Sequence, residues 1–162
     1  MKHVTQSHAV VPLVESKDYG SAGITFDSVN MGLLHNLSML LAFGAITGNS
    51  ILILYAGATV GATTTAIAFK YRLGSADFKT AIAAFVGPDT LGSLTDVAAT
   101  GLTLTAATFD HRLVTITVDA DQMPEGKPYL TAVIDATATV MNIGAIGVGV
   151  HRYPGSTPPS VV

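Results

Sequence analysis

At 162 residues the chain has the length of one domain, and such a domain buries roughly 70% of its unfolded surface without help from a metal or disulfide. It has no cysteine, which excludes a disulfide framework, thiolate zinc sites and thiol chemistry. Eight basic against eleven acidic residues give a net charge of −3, and no basic run is present to grip phosphates, so nucleic acid is not an expected partner.

Met1 to His8 carries no secretory pattern, and its two histidines, His3 and His8, read as solvated. Ala9 to Val14 (AVVPLV) is extended and interrupted by Pro12, which confines it to an edge strand or to an arm lying on another surface. Lys17 to Ser21 reads as a turn and Gly23 to Val29 as a strand.

Between Asp27 and Lys70 there is no Asp, Glu, Lys or Arg. Such a stretch either crosses a membrane or lies in a core. Its apolar runs, Leu33 to Ile46 and Ile51 to Val60, fall short of the ~20 residues that a spanning helix needs. A period of two fits better. Leu37, Met39, Leu41 and Phe43 share one face, with Asn36, Ser38, Leu40 and Ala42 on the other. Thr47-Gly48-Asn49-Ser50 is expected to be a hairpin turn. Ser50 to Tyr55 is apolar on both faces, as in a strand covered on both sides. Thr65, Ile67, Phe69, Tyr71 and Leu73 then alternate with Ala66, Ala68, Lys70 and Arg72. Together these predict a three-stranded antiparallel meander.

Phe78, Ile82 and Phe85 have helical spacing, and Gly87-Pro88-Asp89 would end that helix. Strands resume at Leu102 to Thr105 and Leu113 to Val118. A polar turn follows at Asp119 to Lys127, then strands at Tyr129 to Asp135 and Asn142 to His151. Pro154 to Val162 reads as a flexible tail. Short, regularly spaced strands with at most one helix predict an all-β antiparallel sandwich, jelly-roll-like, with an immunoglobulin-like sandwich as the alternative. The expected layout is an N-terminal arm over residues 1–16, a sandwich over 17–153 and a tail over 154–162.

Chemistry is sparse. Asp110-His111 precedes a strand, where neighbours point to opposite faces, so it reads as a turn feature. Asp119 and Asp121 have no third carboxylate at a calcium-loop interval. His35 and His151 could meet across strands, but two histidines without a third ligand make no metal site. The glycines between Gly44 and Gly61 precede no Gly-Lys-Ser/Thr and open no helix. No catalytic residue, metal or cofactor is assigned, and an enzyme is not expected.

Only 12% of the residues are charged, against ~25% in ordinary soluble domains. So neutral a surface points to cover by neighbouring molecules. The succession HNLSMLLAFGAITGNSILILYAGATVGATTTAIAFKY, TLTAATFDHRLVTITVDADQMPEGKPYL and MNIGAIGVGVHRY resembles the capsid decoration, or cement, proteins of tailed bacteriophages and prophages, over roughly Gly23 to Tyr153. The resemblance implies a β-sandwich on the outer surface of an icosahedral head, commonly a homotrimer, that bridges neighbouring major capsid subunits. It carries over no catalytic or contact residues.

A cement protein needs arms and a face poor in charge. Val10, Val11, Pro12, Leu13 and Val14 are the candidate arm contacts, suited to strand addition at a partner's edge. Gly147 and Gly149 are the candidates for close subunit packing. Alternative readings are a tail, head-fibre, receptor-binding or carbohydrate-binding β-module. A membrane hairpin is a further one, though no membrane partner is expected.

Overall fold

The computed structural model describes residues 8–74, 77, 90–135 and 140–152. Two six-stranded sheets pack face to face as a β-sandwich, with every strand pair antiparallel. Sheet A runs β1 (His8–Asp18), β12 (Val140–His151), β4 (Leu34–Thr47), β10 (Leu113–Asp119), β7 (Phe69–Leu73) and β8 (Thr95–Val97). In sheet B, β2 (Ile24–Thr25) and β3 (Val29–Asn30) lie on one side of β11 (Tyr129–Ile134). On its other side is β5 (Asn49–Gly57), whose far edge is shared by β6 (Thr65–Ile67) and β9 (Leu102–Thr105).

The inward faces follow the alternation in the sequence. On β4, Leu37, Met39, Leu41 and Phe43 are buried, while Asn36, Ser38, Leu40 and Ala42 face out. Val114, Ile116 and Val118 of β10 and Leu52 and Leu54 of β5 complete the facing layers.

The meander is corrected. β4 and β5 do not pair: β4 lies between β12 and β10 in sheet A, and β5 lies in sheet B. The Thr47–Ser50 turn is therefore a corner, with Gly48 at φ 88° turning the chain from one layer to the other. A period of two describes which face is buried; it carries no information on whether the next strand lies beside or across. The run from Thr65 to Leu73 also divides, with β6 in sheet B and β7 in sheet A. Its inward face survives the switch, because Ile67, Phe69, Tyr71 and Leu73 all turn to the same core.

The expected strand at Gly23–Val29 is two short pieces separated by Phe26–Ser28. A single helical turn, α1 (Ala106–Phe109), stands where no helix was expected. It brings Phe109 edge-on to Phe43, 6.4 Å between ring centres, and 6.2 Å from Tyr71. The polar turn after β10 is a 3-10 turn closed by a capping box, in which Asp119 caps the chain and Gln122 reaches back to its N–H. The helix expected around Phe78, Ile82 and Phe85, and the tail over 154–162, lie outside the described residues.

From His8 onward, the stretch expected as an arm is the edge strand of sheet A, paired with β12. Ala9, Val11 and Leu13 are in the core. Register shifts between Pro12 and Val14 and between Val14 and Lys17 break its edge, and the Leu13 carbonyl accepts the Asp27 N–H at 3.0 Å.

Two stability measurements check this packing. Phe43→Ala removes a buried ring that packs edge-on to Phe109 and should cost about 3–5 kcal/mol in urea unfolding. Deleting residues 1–16 removes Ala9, Val11 and Leu13 from the core, so cooperative unfolding should be lost or shifted to far lower denaturant.

Candidate interaction surface

Among the described residues, no three His, Cys, Asp or Glu side chains are grouped to hold a metal ion. His151 pairs with Leu34 in the β12–β4 ladder, and His35 is exposed. Asp110 and His111 follow α1. One Asp110 oxygen accepts the Ile46 N–H at 2.8 Å, and the other lies 2.9 Å from His111 Nδ1. With His111 at φ 53°, the pair ties the turn to β4. No described helix is long and apolar enough to cross a membrane. What remains conspicuous is the outer surface of the two sheets.

None of the six strands of sheet B contains Asp, Glu, Lys, Arg or His. The outward residues of its two central strands include Ile51, Ile53 and Tyr55 from β5 and Tyr129 and Val133 from β11. Its own chain covers part of this face. Thr131 points outward yet is fully buried, its hydroxyl 2.7 Å from Ser28 Oγ, which accepts the Gly61 N–H at 2.7 Å. The strand apolar on both faces is thus covered on one side by the core and on the other only partly, with Ile51 37% exposed.

The outer face of sheet A is more open. The register sets Pro12 beside Ile146, Ile146 beside Leu40, Leu40 beside Thr115, and Thr115 beside Arg72. The neighbouring row runs Val10, Val148, Ser38, Thr117, Lys70, Asp96. Val10 is 47% exposed and Ile146 44%. In these rows the face is therefore uncharged and mostly apolar over β1, β12 and β4, and changes to hydroxyls at Thr115 and Thr117 of β10. It becomes charged at Asp119, at the end of β10, and on β7 and β8. There Lys70 is paired with Asp96 at 3.0 Å. At the far end of β1, Lys17 is paired with Glu15 at 2.8 Å. The hydrogen bond and charge of Glu15 hold the Lys17 ammonium above its ordinary pKa.

The seven candidate contact residues divide by parity. Val10 and Pro12 are exposed on the outer face, and Val14 is half-buried. Val11 and Leu13 are core residues. Gly147 and Gly149 point inward, where a Cβ would stand 3.0 Å from Leu37 Cδ1 and 2.6 Å from Leu34 Cδ1 respectively. The close approach these glycines permit is to leucines of the same chain. Sequence reasoning missed the large residues between and beside them, Ile146 and Val148. Their signal was available: if alternate glycines of a strand face the core, the intervening residues face out.

No family model, no curated protein and no solved structure matches the chain.

The parity assignment is testable by stability alone. Gly149→Ala should destabilise the domain by about 1–3 kcal/mol, because Leu34 must move. Val10→Ser, on the outer face, should stay within about 0.5 kcal/mol of the parent in the same urea titration.

Proposed function

We propose that this chain is a structural virion protein that binds the outside of an icosahedral phage head and stabilises it by bridging neighbouring major capsid subunits. The observation that carries the reading is the absence of charge from the strands of sheet B and from the exposed patch over β1, β12 and β4 of sheet A, beside the sequence resemblance to cement proteins. A free-standing protein gains nothing from exposing Val10, Ile51 and Ile146 together, whereas a protein seated among neighbours buries them. Area buried across a seam between capsomers raises the free energy needed to part them, because the bound protein holds the assembled state and not the separated one.

The architecture proposed for this role is jelly-roll-like. Its support is the way β4 to β5 and β6 to β7 pass from one layer to the other, while strands distant in the chain, β1 and β12, lie side by side. Attachment is assigned to the residues ahead of β1, the reduced form of the expected arm. Self-association, which the resemblance implies as a trimer, is the second part of the role.

Purified protein mixed with heads that lack it should sediment with them and saturate at a stoichiometry comparable to that of the major capsid protein. The occupied heads should release their DNA at a higher temperature. Deleting residues 1–7, which leaves β1 intact, should weaken that binding without altering the circular dichroism spectrum. Absence of co-sedimentation, or binding to tails at a few copies per particle, overturns the reading.

A further inference from the structure

The outer face of sheet A is, we infer, the surface through which two copies of this chain pair, face to face, about a two-fold axis. This departs from the trimer that the resemblance implies and stands on the surface of this chain alone. Three observations favour a second copy as the occupant.

The first is charge. Every outward residue on the parts of β1, β12, β4 and β10 that make up the face, from Val10 and Pro12 through Ile146, Val148, Leu40 and Ala42 to Thr115 and Thr117, is uncharged. A two-fold axis lays a patch on itself, so a net charge on the patch would be set against its own like. This patch has none to oppose. Around it stand two pairs formed within the chain, Lys70 with Asp96 and Glu15 with Lys17. Two single charges of opposite sign stand there too, Arg72 beside Thr115 and Asp119 two residues past Thr117, so the margin carries both signs and selects no singly charged foreign partner.

The second is the layout. Apolar side chains sit at the centre, hydroxyls and amides beside them, and ion pairs outermost, the order of a protein interface from core to rim. The third is area. The uncharged lengths of the four strands, about 5–9 residues each at ~3.3 Å per residue and ~4.8 Å apart, present roughly 450–500 Å². Two such faces in contact would cover about 900–1,000 Å², close to the ~1,000 Å² that a stable interface requires. Sheet B offers less, because the segment around Gly61 and Ser28 already lies on its outer face.

Such a pair adds a third and a fourth sheet to the stack, with Val10, Pro12, Ile146 and Leu40 of one copy set among the same residues of the other. It makes a dimer, where the resemblance implies a trimer. The two differ in mass.

The test uses the full chain in solution with no phage present, so its failure leaves the head-binding reading standing. Sedimentation velocity over a wide dilution series should give twice the chain mass, dissociating on dilution. Ile146→Lys and, separately, Val10→Lys should run as monomers with unchanged circular dichroism. Ile51→Lys on sheet B should remain dimeric. As the chain has no cysteine, a nitroxide on Ile146→Cys should report one short inter-label distance, lost on dilution. A monomer at every concentration, a trimer, or a dimer that survives both lysines overturns the inference. So does a dimer broken only by Ile51→Lys.

Discussion

β12 lies against β4 over nearly its whole length, and two inward positions, Gly147 and Gly149, make that possible. Leu34 and Leu37 of β4 fill the space that side chains there would need. Once those positions are fixed as inward, the pleat dictates the rest of the strand. Met141, Ile143 and Ala145 join the core, and Ile146 and Val148 are forced outside. The core at the centre of sheet A and the apolar patch on its back are two sides of one packing constraint.

That constraint extends to β1. It pairs with β12 in a register that buries Val11 and Leu13 and exposes Val10 and Pro12, so the edge strand enlarges both the core and the patch. Its bulges and its proline interrupt the row of backbone groups that would otherwise invite further strands. What the edge withholds, the face offers. Here the molecule presents uncharged side-chain surface and comparatively little free backbone.

The two sheets differ in how they treat their outer sides. Sheet B has no charged strand residue at all, yet a hydroxyl pair and a loop amide close part of it, with Ser28, Thr131 and Gly61 satisfying one another. Satisfied buried hydroxyls of this kind fix a loop in place at little net cost. Sheet A keeps a wider exposed surface, and its charges are gathered at its margins, with Lys70 paired to Asp96 and Lys17 to Glu15. A low proportion of charged residues thus has a different setting on each side of the sandwich: internal cover on one, an open uncharged surface on the other.

The amino-acid sequence by itself determined the class of structure and which residues of most strands face the core. Alternation of apolar and polar side chains is a local property, and the inward sets of β4, β7 and β10 follow from it directly. It also determined that thiol chemistry is absent, because the chain has no cysteine. Tertiary structure alone decided which strands are neighbours. A glycine turn at Gly48 serves a hairpin or a corner equally well, and only the competition of β10 and β12 for the edges of β4 sends β5 to the other layer. The same competition turned most of an expected arm into an edge strand and gave the glycines of β12 leucines of their own chain as neighbours. Those outcomes depend on contacts between residues far apart in the chain, which no local pattern encodes.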